Sequence, residues 1–289
     1  MATLADWLEG ARVRTLPAAV SPVVLGTGAA AGLGQASAGR ALLAGGVALA
    51  LQIGVNFAND YSDGVRGTDD VRTGPPRLTG GGKVSPATVK RAALLSLGLG
   101  AVLGLALVAV SGTWWLLVAG AVAIVAAWGY TGGSRPYGYM GLGEVGVFVF
   151  FGLLATLGTT WTQALQLTWP AWAGAVGIGL IACALLMVNN IRDLPTDAQV
   201  GKHTLAVRLG DRPARVVYAL MVWLPLALGV ACAAVSPWAL LVLLLAPWTF
   251  RVSRVVLSGA AGRDLIVVLR DTGLLELGYG VLLGVGLAL

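Results

Sequence analysis

Three stretches of this chain carry no charged residue: Ala92 to Ser134, Val145 to Ile191 and Val216 to Phe250. Each is longer than the roughly 20 apolar residues that one helix needs to cross a bilayer, so each must fold back on itself. The rest of the composition agrees. Charged residues make up 11% of the chain, against about 25% in soluble domains, and the mean hydropathy is +0.83. The chain reads as an all-α, polytopic membrane helical bundle.

Turn chemistry divides the runs. Ser111-Gly112-Thr113 interrupts the first, Gln163 to Pro170 the second and Ser236-Pro237 the third. With the flanking apolar segments this predicts nine transmembrane helices, near 16–34, 40–62, 86–111, 114–131, 142–162, 170–194, 212–234, 236–257 and 271–289. Ser85-Pro86 has the pattern of an N-cap followed by a first-turn proline and marks the start of the third. The whole chain, 1–289, reads as a single domain. Arg12 and Arg14 ahead of Gly28-Ala-Ala-Ala-Gly32 faintly resemble a cleaved leader, but removing it would leave eight spans and an orphaned start, so this segment is read as the first span.

The net charge of +6 points away from nucleic acid once its distribution is considered. With nine spans, alternate loops fall on opposite sides, and of the 19 Lys and Arg all but Arg40 fall on the side of the N-terminus. The positive-inside rule then makes the N-terminus and these loops cytoplasmic, in a multi-pass protein of the cell membrane. Nearly all the acids share that side, which mere attraction to anionic lipid would not require. Glu276, inside the last span, is the exception, and no role follows for it from sequence. Cys183 and Cys232 fall within spans and read as packing residues, not a disulfide framework.

Two polar loops stand out on the cytoplasmic side, one near 61–85 and one near 194–211. Each follows a helix end with the same pattern: Asn56-x-x-x-Asp60-x-x-Asp63 before the first, and Asn189-x-x-x-Asp193-x-x-x-Asp197 before the second. Positions i, i+4 and i+7 share one side of a helix. Acids crowded at the end of a membrane-buried segment repel one another and resist desolvation, so they persist mainly where a cation compensates them. Carboxylates with nearby amides are hard oxygen ligands suited to Mg2+, which binds through one or two carboxylates plus substrate phosphates. Two such clusters facing each other would hold a diphosphate between metal ions.

Arg66, Arg72, Arg77, Lys83, Arg192 and Lys202 either bind its oxygens, arginine bidentately, or are simply topology determinants. Asp69 and Asp70 fit either a metal site or a solvated loop. Gly80-Gly-Gly82 before Lys83 lacks P-loop spacing and reads as flexible loop, and His203 as an ordinary loop residue. The turn from Trp128 to Tyr139 brings Tyr130, Arg135, Tyr137 and Tyr139 together, either as an aromatic belt or as a wall that steadies a carbocation. Glu144, just beyond it, is either a helix-start acid or a group that orients or deprotonates an acceptor hydroxyl.

These two motifs with nine spans resemble the UbiA superfamily of membrane prenyltransferases over essentially the whole chain. Three segments, 14–26 (RTLPAAVSPVVLG), 59–70 (NDYSDGVRGTDD) and 130–144 (YTGGSRPYGYMGLGE), are similar to the 1,4-dihydroxy-2-naphthoate polyprenyltransferases of menaquinone synthesis. The resemblance implies a helical bundle with a cavity open to lipid. It implies polyprenyl diphosphate, 1,4-dihydroxy-2-naphthoate and Mg2+ as partners, and loss of the acceptor's carboxyl group during transfer. It places metal at Asp60, Asp63, Asp193 and Asp197, with Asp63 or Asp69 completing the first site, and the diphosphate on Asn56, Asn189 and Arg192. Pro195 is expected to break the sixth helix between Asp193 and Asp197. Alternatives are a sister enzyme acting on 4-hydroxybenzoate or homogentisate, a cation-coupled transporter and a phospholipid head-group transferase.

Overall fold

The computed structural model describes residues 2–67 and 77–289, and these residues form helices and turns without a strand. A short helix α1 (Leu4–Gly10) precedes α2 (Pro17–Ala31), α3 (Ala38–Arg66), α4 (Pro86–Ser111), α5 (Leu116–Gly129), α6 (Gly143–Ala164) and α7 (Trp169–Gln199). The short α8 (Leu205–Leu209) leads into α9 (Asp211–Ala234), α10 (Pro237–Leu257) and α11 (Arg263–Ala288).

Their ends follow local chemistry. The Ser37 and Ser85 side chains accept from the backbone amides three residues on, and Pro17, Pro86, Pro170 and Pro237 sit in first turns where a missing N–H costs nothing. Gly112 closes α4 at φ 72°, in the left-handed region that lacks a Cβ penalty.

Six of these helices are long and apolar enough to cross a membrane: α3, α4, α6, α7, α9 and α10. The expected nine spans thus meet two shorter apolar helices, α2 and α5, of 15 and 14 residues. The last helix also starts earlier than the apolar stretch announces. Arg263 through Asp271 are already helical, with Arg270 paired to Asp271 at 2.7 Å. Pro195 does not break α7, contrary to expectation: the helix runs on to Gln199, and the Thr196 hydroxyl donates to the Asp193 carbonyl at 2.9 Å. Its missing bond falls in the last two turns, at the polar end of the helix, so Asp193 and Asp197 keep a common face.

Leu95, Val102, Val118, Val125 and Leu244 are exposed in a chain this apolar, as lipid-facing residues are, and this is a multi-pass membrane protein. Between helices, where lipid removes the hydrophobic drive, close packing and buried polar bonds hold the bundle. The Ser21 hydroxyl donates to the Glu276 carbonyl at 2.5 Å and Ser236 to the Gly286 carbonyl at 2.6 Å. A Cβ at Gly28 would collide with the Gly284 backbone, and one at Gly152 would lie 2.5 Å from Gly179 Cα. The larger core gathers Ile178, Ile181 and Met187 of α7, Tyr218 of α9, and Leu275, Tyr279 and Leu283 of α11. A smaller one joins Ala11, Phe57, Ala58, Leu78, Val89 and Ala93.

Arg40, the lone basic residue expected on the far side, binds the carbonyls of Val110 at 3.0 Å and of Thr162 and Gln163 at 3.0 and 3.3 Å. It ties the start of α3 to the ends of α4 and α6, where helix carbonyls lack partners. Replacing Arg40 with Ala is expected to lower thermal stability in detergent by about 1–3 kcal/mol. Gly28→Leu, which wedges α2 from α11, is expected to lose the folded peak in size-exclusion chromatography.

Candidate active site

Between α2, α3, α4, α5, α6 and α7 lies a cavity of about 570 Å3. Along α3 its lining runs from Asp63 back to Ala44, about 28 Å at the helical rise of about 1.5 Å per residue. One end is polar, with Asn56, Asn59, Asp63, Arg77, Asn189, Asn190, Asp193, Asp197 and Lys202. The other is apolar, with Leu105, Leu116, Ile124, Phe150, Phe151 and Leu154.

At the polar end residues of the two Asn/Asp helices line the same cavity. Asp63, only 4% exposed, accepts from the Tyr139 hydroxyl and has Arg77 at 3.7 Å and Lys202 at 3.8 Å. Lys202 also lies 4.6 Å from the centre of the Tyr139 ring. Across from it, Arg192 grips both Asp193 oxygens at 2.7 and 2.6 Å and the Asn189 side-chain oxygen at 2.8 Å. Asp193 and Asp197 both line the cavity, whereas Arg192 sits behind Asp193 and orients it.

Asp60 is placed differently from its motif partners. On α3, Gln52, Asn56, Asn59 and Asp63 form the cavity face, at helical spacings of four, three and four. Asp60 falls on the neighbouring face with Phe57 and Gly64, is fully buried, and accepts the backbone N–H groups of Leu78 at 2.9 Å and Thr79 at 2.8 Å. The i+3 spacing that sets Asp60 beside Asp63 in projection also turns it past the cavity's edge. The pairing on this helix is therefore Asn59 with Asp63, the same four-residue spacing as Asn189 with Asp193.

Four further expected residues stand apart from the cavity. Arg66 donates to the carbonyls of Thr131 and Gly133 and lies 5.6 Å from the Tyr139 ring, bracing the aromatic turn. Lys83 pairs with Asp6 of α1, and that ammonium, with the Thr3 amide, holds the Asp6 carboxyl well below the usual range. Arg135 is exposed on the turn. Glu144 is buried behind the wall, where the cavity-lining Asn190 amide donates to it at 3.2 Å. Asp69 and Arg72 lie outside the described residues.

The aromatic turn supplies the remaining wall. Tyr130 and Tyr137 meet edge to face at 5.4 Å, and both line the cavity with Tyr139. Burial pushes the Tyr137 hydroxyl up to about 12, so it stays a protonated donor near neutral pH. Thr131 anchors the turn by donating to Asn59 at 2.7 Å, and the His203 amide donates to the Tyr139 carbonyl at 2.9 Å, docking the loop after α7 onto it.

Arg12, Thr15, Gln52, Asn59 and Asn190 also line the site and were missed as site residues. Gln52 and Asn56 donate to the Thr15 hydroxyl at 3.1 and 3.4 Å, and Asn56 donates to the Ala11 carbonyl at 2.9 Å. They hold the turn that carries Arg12 in a left-handed conformation, φ 53°. The signal for Asn59 was the four-residue spacing repeated in the second motif.

Among the described residues no three carboxylate, imidazole or thiol groups converge on one point. The donor set still fits Mg2+, because that ion takes one or two carboxylates and completes its shell with water and phosphate. Asp63 from one side and Asp193 and Asp197 from the other supply such oxygens beside Arg77 and Lys202.

The chain is 52% identical over 288 residues to the 1,4-dihydroxy-2-naphthoate octaprenyltransferase of Mycobacterium tuberculosis, covering 100% of this chain and 98% of that one. It is 40% identical over 260 residues to the enzyme of the same name from Escherichia coli, covering 87% and 84%. Its fold is similar to that of a UbiA homolog from Archaeoglobus fulgidus bound to DMAPP and Mg2+, with a TM-score of 0.69 at 13% identity over 95% of this chain and 97% of that one. The sequence matches the UbiA prenyltransferase family over residues 19–267, and with the paired acid motifs at one end of an apolar-walled cavity, this chain belongs to that family.

Proposed function

We propose that the protein transfers a polyprenyl group from polyprenyl diphosphate to 1,4-dihydroxy-2-naphthoate, with loss of the acceptor's carboxyl group. The observation that carries this reading is the cavity itself. Acids and amides from two helices stand with Arg77 and Lys202 at one end, and a lane of apolar side chains runs from them along most of α3. The polar end suits a diphosphate, and the lane suits a long isoprenoid. The two relatives named above support the choice of acceptor.

In this reading Asp63, Asp193 and Asp197, with Asp69 a further candidate, would hold Mg2+, which would supply positive charge to offset that of the diphosphate. Arg77 and Lys202 stabilise the same charge directly as the carbon–oxygen bond breaks. Asn59 and Asn189 donate to phosphate oxygens, and Arg192 keeps Asp193 facing inward. The electron pair of the broken bond leaves with the diphosphate. The allylic carbon, positive in character, lies against the Tyr130, Tyr137 and Tyr139 rings, whose faces favour a cation. The naphthoate ring attacks it, and expulsion of carbon dioxide returns the carboxyl bond's electrons to the ring. Asn190, held by Glu144, orients the acceptor hydroxyl.

The chain forms one domain with nine crossings in a cell membrane, its N-terminus and catalytic loops toward the cytoplasm, as the distribution of Lys and Arg supports. An acceptor such as 4-hydroxybenzoate or homogentisate would require different groups around the aromatic turn. A cation-coupled transporter would need polar groups toward both faces, whereas here they collect at one end of the cavity.

Asp63→Asn and Asp193→Asn are each expected to lower kcat about 10²–10³-fold while leaving membrane insertion intact, measured by prenyl transfer and by detergent extraction. Full activity in both variants would overturn the metal assignment. In a panel of acceptors offered with one polyprenyl diphosphate, 1,4-dihydroxy-2-naphthoate is expected to be turned over fastest, and exclusive use of 4-hydroxybenzoate would sink this acceptor.

A further inference from the structure

We infer that Asp60 is a positioning residue that pins the 77–84 turn to α3 so that Arg77 faces the diphosphate, and that it is not a metal ligand. The inference rests on the proposed diphosphate site. A fully buried carboxylate needs strong compensation, and here two backbone amides provide it: Leu78 donates to one oxygen at 2.9 Å and Thr79 to the other at 2.8 Å. Such bonds to an ionised acceptor are among the strongest a protein makes. Each oxygen accepts one of them, and the side chain lines no part of the cavity.

The turn it holds is a compact unit. Gly81 donates to the Arg77 carbonyl, Gly82 to Thr79, and Lys83 and Val84 both to Leu78, each at 3.0 Å. Its Leu78 side chain is 2% exposed and packs in the small core with Phe57 and Val89. Gly64 admits the turn against α3, because a Cβ there would lie 2.5 Å from Thr79 Cγ2. Phe57, Asp60 and Gly64 thus form one docking face, with a hydrophobic contact, an anion and a gap. Arg77 is the residue immediately before the two anchored amides. With Leu78 and Thr79 fixed, its guanidinium reaches into the cavity, 3.7 Å from Asp63. Asp60 and Asp63 therefore divide the work on one helix, the first aiming a cation from the loop and the second facing the reaction.

The test uses full-length protein in detergent or nanodiscs. Amide hydrogen exchange is followed over 77–84, and steady-state kinetics are measured with farnesyl diphosphate as the donor at varied Mg2+. Asp60→Ala is expected to speed exchange at Leu78 and Thr79 about tenfold or more. It should raise the donor KM as Arg77→Ala does and leave the Mg2+ concentration for half-maximal rate unchanged. The double variant is expected to be no worse than Arg77→Ala alone, since the two act through one group. Asp60→Asn, which keeps one accepting oxygen, should be intermediate and guards against misfolding of the alanine variant. A shift of the Mg2+ midpoint in Asp60→Asn like that in Asp63→Asn, or unchanged exchange over 77–84, overturns the inference. Absence of prenyl transfer by the unaltered protein would instead count against the proposed function, and the exchange measurement would still decide whether Asp60 anchors the turn.

Discussion

The site is organised around one buried carboxylate. Asp63 sits near the C-terminal end of a membrane-length apolar helix, almost without solvent, and three separate segments meet it: Arg77 from the loop after α3, Tyr139 from the aromatic turn and Lys202 from the loop after α7. A carboxylate in that position is costly unless it is matched. Matching it draws together loops that are far apart in the chain. The further ties, Thr131 to Asn59 and His203 to Tyr139, extend the same closure.

The apolar part of the bundle answers to a different constraint. Lipid offers helices no hydrophobic reason to associate, so close approach and buried polar bonds must do so. The Gly28 with Gly284 and Gly152 with Gly179 contacts, and Arg40 on three helix-end carbonyls, meet that need. The larger core forms where α7, α9 and α11 meet. On the other side of α7 the helices leave a cavity whose apolar walls follow α3 to its far half. α7 therefore has a filled side and a hollow one, and both acid motifs line the hollow.

Much of this was legible because the signals are local. Ser85-Pro86 reads as a helix start from two residues, and the break at Gly112 from one. The charge-free runs announce helices because nothing else accommodates such segments in lipid. Other features depended on neighbours. Pro195 signals a break, yet its position at the polar end of α7 lets the helix continue. The last helix hides its first turns among charges, since an apolar-length criterion does not see a polar helix start. Asn190 carries no special spacing, and its place in the cavity wall becomes visible only when Glu144 is brought beside it.

The sequence by itself determined the class of the fold, the ends of most helices and the repeated Asn/Asp spacing on two of them, because hydropathy, turn chemistry and motif spacing act over a few residues. Only the tertiary structure decided which acids face the cavity. A motif gives spacing along a helix, but 60° of rotation separates Asp60 from Asp63 at about 100° per residue, and what fills that angle comes from a loop elsewhere in the chain. The Leu78 and Thr79 amides claim Asp60, while Arg77, Tyr139 and Lys202 surround Asp63. Burial and partners, which the chain acquires on folding, separate an anchor from a candidate ligand of the same residue type.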